Sequence, residues 1–240
     1  MFGSFHTATL GAIGQQSKLD VIANNISNIN TNGFKTKNAV FSDLVYTNLN
    51  ANKATSTNLQ AGNGIRIEQV NTDFSQSSLN ETGMMNDFGI QGQGFFMLQN
   101  PATQEITYTR DGSFSLSLRG QQFYLVSSNG NLVLDKNKRP IIMSGEGKDS
   151  QGNVPDIGIF EFSQNNGLEN IGNNEFRPVA KNGPALLSTT AKLVQGSVEA
   201  SGVDTAAEMA KMIETQRAYS YALKMVQTSD EITSTVNSLR

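Results

Sequence analysis

The sequence predicts a mainly β central domain inserted between N- and C-terminal α-helices. Three observations carry this expectation. Apolar residues recur at three- and four-residue spacing through about the first 28 positions. A second such period runs from Asp204 to about Ser238 without a Gly or Pro. Between them, from about 62 to 196, short β-branched and aromatic runs alternate with Gly-rich turn signals.

The first helix is expected from Phe2 to about Asn28. Phe2, Phe5, Thr9, Ala12, Gln16, Leu19, Ala23 and Ile26 form one stripe, and Leu10, Ile13 and Ile22 widen it. Gly3, Gly11 and Gly14 each weaken it by up to about 1 kcal/mol relative to Ala. Such a helix is marginal alone and needs a partner. Its end is dense in Asn, a residue whose amide competes for nearby backbone groups. Residues 48–61, including "NLNANKATSTNLQ", are polar and read as an extended or mobile connector, so the first segment closes at about 47.

In the 62–196 region, "GIRIEQV", "FGIQGQGFFML", "ITYTR", "GSFSLSL", "QFYLV", "NLVLD", "PIIM" and "IGIFEF" read as strands. Asp111-Gly112, Asn129-Gly130 and Asn166-Gly167 mark expected turns. The remainder, 197–240, is assigned to the C-terminal helix. Asp204 is its expected N-cap and Glu208 lies in its first turn. Met209, Met212, Gln216, Tyr219, Leu223 and Val226 make one stripe; Ala218, Ala222, Met225, Ser229, Ile232, Val236 and Leu239 make a second, offset one. Two apolar faces imply more than one neighbour, and so long an unbroken period favours a coiled coil.

Composition narrows the chemistry. Of the 240 residues only 16% are charged and the formal net charge is −3, so no basic field exists to neutralise phosphates and no nucleic-acid partner is expected. There are no cysteines, which removes disulfides, thiolate nucleophiles and Cys-ligated metals. His6 stands alone, and reads as a solvated or interfacial side chain rather than a base or ligand. Gly89, Gly92 and Gly94 lack the spacing and context of a dinucleotide loop and read as a bulged strand. Asp111 with Glu105, or Asp156 with Glu161, would pair only by an accident of folding. No catalytic, cofactor or metal residue is therefore expected. The N-terminus lacks a secretory signal pattern, and no run of about 18 apolar residues could span a membrane. These facts alone suggest a cytoplasmic protein.

The segment from Leu19 to Lys35, "LDVIANNISNINTNGFK", resembles the N-terminal signature of bacterial flagellar rod and hook proteins. "IQGQGFF" and "YTRDGSF" resemble paired motifs of that family's β domain, and "VQGSVEASGVDTAAEMAKMIETQRAY" resembles its C-terminal helix entry. The matches lie in order over nearly the whole chain. Within the family the layout, with "AVFSDL" before a short polar segment, resembles the distal rod proteins most; the proximal rod or rod-hook junction paralogues are the alternative.

The resemblance implies a non-enzymatic structural subunit of the basal-body rod, without cofactors. It implies export without a cleaved signal through the flagellar type III apparatus, and assembly outside the inner membrane into a helical homopolymer that meets other rod and hook proteins and transmits torque. The terminal helices would then form a coiled coil on assembly. Asn24, Asn25, Asn28, Thr31, Gly33 and Phe34 become an assembly motif, whose amides cap the helix and bond to adjacent backbones while Gly33 turns the chain into an apolar anchor. A plainer reading has the Asn residues only ending a helix. Met212, Tyr219, Leu223, Val226, Ile232 and Val236 become the C-terminal helix interface. Phe41 and Val45 match a short hydrophobic pattern for export-gate recognition, with packing as the other role for Phe41. Outside the family, a carbohydrate-binding or hydrolysing β-domain protein with helical arms is the alternative.

Overall fold

The computed structural model describes residues 2–48, 60–144, 148–149 and 155–239. The polar connector falls mostly on 49–59, outside the described residues. The chain forms two compact units: Met1–Ser27, Lys37–Thr72 and Asp204–Arg240 in one, Asn28–Thr36 and Asp73–Val203 in the other. These units cut the chain differently from the four segments expected, because residues 28–36 belong with the β-rich unit and residues 65–72 with the helices.

In the helical unit, α1 (Phe2–Ser27) and α2 (Thr205–Ser238) pack antiparallel. Asp204 caps α2 as expected, its carboxylate accepting from the Ala206 and Ala207 N–H groups at 2.9 and 3.2 Å. The seam is offset from the stripe read in α1. Ala12, Gly14, Ile22 and Asn25 are buried, Ile26 is half-buried, and Ala23 and Gln16 are exposed. On α2, Glu208 and Thr215 are buried, with Met212, Tyr219, Ala222 and Val226 half-buried on the same side. Beyond Asp230 every described residue of α2 is exposed, since α2 is eight residues longer than its partner helix.

Strand Lys37–Asp43 pairs antiparallel with Ile65–Thr72, with a bulge at Val40/Phe41. The first of these strands was not foreseen. Its near-continuous half-burial hides the alternation by which a strand is recognised. Gly14 of α1 brings the helix close to this ribbon, where a Cβ would meet the Phe41 ring at 3.3 Å.

The β-rich unit is antiparallel throughout its described pairings. Phe95–Gln99 is the centre of an eleven-stranded sheet, flanked by Ile106–Thr109 on one side and by Leu132–Val133 and Ile159–Glu161 on the other. Its alternation divides two cores. Phe96 and Leu98 enter one with Phe88, Ile90, Phe114 and Leu125; Phe95 and Met97 enter the other with Tyr108, Phe160, Phe162 and Phe176. Two further ladders join distant segments: Phe88–Gln91 with Lys192–Gln195, and Leu79–Glu81 with Ser197–Glu199. Ser197–Glu199 is thus a strand rather than the start of the C-terminal helix. Asp111-Gly112 is not a hairpin turn; Gly112 passes so close to the Phe88 carbonyl that a Cβ would lie 1.6 Å from its oxygen.

Phe96 is fully buried between these strands, whereas Leu118 stands 60% exposed. Phe96→Ala is expected to lower stability by about 3–5 kcal/mol, and Leu118→Ala by no more than about 0.5 kcal/mol. Denaturant titration of both variants checks the contrast.

Candidate functional site

Two polar clusters organise the segments in which the sequence motifs lie. In the helical unit the cluster centres on Asn25, 1% exposed, in the last turn of α1. Its Nδ2 donates to the Lys37 carbonyl at 2.8 Å and to Glu208 Oε2 at 3.0 Å; its Oδ1 accepts the Lys37 N–H at 3.0 Å. One amide thereby ties α1, the first strand and the first turn of α2. Lys211 Nζ closes the cluster, donating to Glu208 Oε1 at 2.6 Å. Burial of Glu208 is tolerable because both of its carboxylate oxygens are occupied.

In the β-rich unit a second cluster is built from residues 35, 92, 110 and 199. Glu199 is 1% exposed and receives two cations: Lys35 Nζ at 2.7 Å on Oε1 and Arg110 Nη1 at 3.1 Å on Oε2. The Ser77 N–H also donates to Oε1, at 2.7 Å. Lys35 has a further acceptor in the Ser75 carbonyl at 2.6 Å, and Arg110 Nη2 has the Gly92 carbonyl at 2.9 Å. The guanidinium lies 5.6 Å from the Phe95 ring centroid. Burial pushes Lys35 below the ordinary lysine range and Arg110 below the ordinary arginine range, and the Glu199 carboxylate opposes both shifts.

The turn that delivers Lys35 is fixed by Gly33. It has φ +65°, and a Cβ there would lie 2.6 Å from the Arg110 carbonyl carbon and oxygen. Its N–H donates to the Glu199 carbonyl at 2.7 Å. Phe34 is buried beside it, and its carbonyl accepts the Gly202 N–H at 2.9 Å. Asn28 ends the motif's helical part, its Oδ1 and carbonyl accepting the Thr31 hydroxyl and N–H, each at 3.1 Å.

The expected assembly residues therefore divide. Asn25 is engaged within its own chain, bonding to the Lys37 backbone. Asn28, Thr31, Gly33 and Phe34 shape a turn. Asn24 is exposed, and its carbonyl accepts the Ser27 hydroxyl at 3.0 Å. On α2, Met212, Tyr219 and Val226 lie half-buried on the α1 side, while Leu223 is 40% exposed and Ile232 and Val236 are exposed. Tyr219, Leu223 and Val226 line a groove with Phe5, Ala12 and Ile13 of α1. Phe41 is half-buried against α1, with Lys18 Nζ 5.9 Å from its ring centroid, whereas Val45 is 83% exposed. Of the acids, Glu105 and Asp156 pair with Arg177 and Lys136 rather than with a second carboxylate. His6 is exposed, its ring edge-on to Phe5. Among the described residues no three His, Asp or Glu side chains gather to hold a metal, and no helix is long and apolar enough to cross a membrane.

Lys35, Arg110 and Glu199 were not singled out in the sequence. Each lies inside a quoted motif, and that position was the available signal. Their mutual pairing was not legible, because Glu199 is 164 residues from Lys35 in the chain.

Comparison with known proteins matches three family descriptions in chain order. Residues 5–35 match the flagella basal body rod protein family, 89–167 the D1 domain of the flagellar hook protein FlgE/F/G, and 194–239 the C-terminal region of the flagellar basal body rod FlgEFG proteins. The chain is 33% identical over 257 aligned positions to the flagellar basal-body rod protein FlgG of Buchnera aphidicola subsp. Schizaphis graminum, covering 97% of each chain. It is 35% identical to FlgG of Borreliella burgdorferi, covering 100% of this chain and 99% of the relative. It is 30% identical to the rod protein FlgF of Mesorhizobium japonicum, covering 99% of each.

Glu199→Gln would leave Lys35 and Arg110 buried without an anion. A stability loss of about 3–5 kcal/mol is expected, against a smaller loss for Lys35→Met, which leaves one matched pair and an apolar stem of similar length. Urea unfolding of the two variants, followed by tyrosine fluorescence, gives the ranking.

Proposed function

The chain belongs to the flagellar basal-body rod protein family and is a structural rod subunit, and from that membership we propose that it occupies the distal rod, polymerising with copies of itself into a helical tube that transmits torque to the hook. The full-length likeness to FlgG proteins supports the distal place; the FlgF relative keeps the proximal rod as the second reading. Membership of a structural family supports a non-enzymatic role over the carbohydrate-acting alternative.

One observation carries the assembly reading. The two helices cover one side of each other and leave apolar side chains bare on the remainder. Ile213, Tyr221, Met225, Ile232 and Val236 of α2 are all exposed, as is Ile13 of α1. A water-exposed helix of one isolated chain has no physical need for these bare apolar side chains. Repetition of one heterologous contact that does not close on itself gives a helical filament. Coiled-coil packing of these faces between copies, contacts to neighbouring rod and hook proteins, and passage through the flagellar export apparatus without a cleaved signal belong to the same proposal.

In this reading Leu223, Ile232 and Val236 meet other copies, while Met212, Tyr219 and Val226 hold α2 on α1. Asn25, Asn28, Thr31, Gly33 and Phe34 serve assembly by fixing the shape of the subunit. Phe41 and Val45 would act in export before folding, since Phe41 is packed on α1 afterwards.

Leu223→Asp is expected to be exported and to keep a folded β-rich unit yet to build no rod, because assembly would bury an unpaired charge at every subunit, a penalty of roughly several kcal/mol each. Lys224→Asp, at an exposed neighbouring position, is expected to be milder. Electron microscopy of basal bodies and a swimming assay read the outcome, and rods of wild-type number and length from Leu223→Asp would sink the interface. For export, Phe41→Ala is expected to lower secretion at unchanged cellular level; undiminished secretion would leave Phe41 with packing alone.

A further inference from the structure

We propose that Asn166 is a site of spontaneous, backbone-assisted deamidation, the Asn-Gly pair that this fold leaves open to the reaction while it closes the others. The sequence holds five such pairs, at Asn32-Gly33, Asn63-Gly64, Asn129-Gly130, Asn166-Gly167 and Asn182-Gly183. Gly has no side chain to shield its amide nitrogen, so each pair is intrinsically reactive. The reaction needs two freedoms. The Asn side chain must rotate onto the backbone, and the following N–H must be free to give up its proton.

Four pairs lack one or both freedoms. The Gly33 N–H is buried and donates to the Glu199 carbonyl at 2.7 Å. Asn63 Nδ2 donates to the Val45 carbonyl at 2.7 Å. Asn129 Nδ2 donates to Glu175 Oε1 at 2.8 Å, and the Gly130 N–H to the Ser127 carbonyl at 2.9 Å. Asn182 is 1% exposed; its Nδ2 donates to the Gln164 carbonyl at 2.6 Å and its Oδ1 accepts the Val179 N–H at 2.8 Å.

Asn166 differs at each point. It is exposed, in a turn closed by the Leu168 N–H on the Asn165 carbonyl at 3.3 Å. Among the described residues nothing hydrogen-bonds its side-chain amide or the Gly167 N–H. The deprotonated Gly167 nitrogen attacks Asn166 Cγ, the Cγ–Nδ2 bond breaks, and Nδ2 leaves as ammonia with the proton released by the backbone. Water opens the resulting cyclic imide at either carbonyl, giving aspartate or isoaspartate. No electron is gained or lost, and water is the only co-reactant. The product makes the net charge of −3 more negative by one. The isoaspartate form also adds a backbone atom two residues before Leu168, which is seated in the second core. The chain thereby carries its age as an acidic group on one turn.

The test incubates the full-length protein, native and in denaturant, at mildly alkaline pH and maps the five peptides by mass spectrometry over time. In the native chain the Asn166 peptide is expected to convert about tenfold faster than each of the others, because those must first open locally. In denaturant the five rates should converge. Native rates at Asn166 and Asn129 that agree would overturn the proposal, as would an unchanged lead for Asn166 in denaturant, which would make the lead a property of local sequence. Asn166→Ser is expected to abolish the acidic species that isoelectric focusing resolves; its persistence would place the site elsewhere.

Discussion

The β-rich unit depends on one carboxylate. Glu199 pairs with both Lys35 and Arg110 in a space where all three are nearly inaccessible, and its own carbonyl holds Gly33. An unmatched charge at such depth costs several kcal/mol, a large fraction of a typical domain's net stability. The cluster is therefore strongly selective about which segments lie together. It requires the end of the N-terminal motif, the strand end at Arg110, the Gly92 turn and the Ser197–Glu199 strand at once. Two cations on one anion leave a net positive charge, partly met by the Ser75 and Gly92 carbonyls and by the Phe95 ring. Those carbonyls lie on irregular backbone, where they have no ladder partner to lose.

Contact order follows from the same arrangement. The Leu79–Glu81 and Phe88–Gln91 strands find their partners more than a hundred residues later, at Ser197–Glu199 and Lys192–Gln195. Loop closure over such lengths must precede any gain from the contacts, which makes folding slow relative to a chain of local hairpins. Leu193 packs against the same core as Ile90, so the hydrophobic gain of that core is incomplete until its late strand arrives. The charge cluster and the core thus both draw on the segment from Lys192 to Glu199.

The sequence revealed what is periodic and concealed what is paired. Both helices were legible because three- and four-residue spacing survives even when the buried face is displaced by a residue or two, as it is in α1. Asp204 was legible as a cap because its effect is local. The central strands Phe95–Gln99 and Gln122–Val126 were legible from their aromatic and β-branched content. Lys37–Asp43 was not, since its burial does not alternate. Ser197–Glu199 is a short strand followed closely by a helix cap, and its assignment rests wholly on a partner at Leu79–Glu81. The segment from Asn24 to Phe34 was visible as a run of amides, but their division of labour depended on which backbone each one met.

Asn25 shows why an amide sits within the apolar period of α1. The position must accept an N–H and donate to a carbonyl on the same residue, Lys37, and also donate to a buried carboxylate, Glu208. A carboxamide satisfies all three at once, having one acceptor and two donor hydrogens. An aspartate would repel both the Lys37 carbonyl and Glu208. A leucine would restore the apolar stripe but leave a backbone N–H, a carbonyl and one carboxylate oxygen short of a partner, at about 1–3 kcal/mol for each buried group. Helix propensity argues against Asn by only a few tenths of a kcal/mol relative to its polar neighbours on the scale. The pairing demand is several times larger, so the amide holds its place, and the helix can end within a turn of it without losing its hold on the strand that follows.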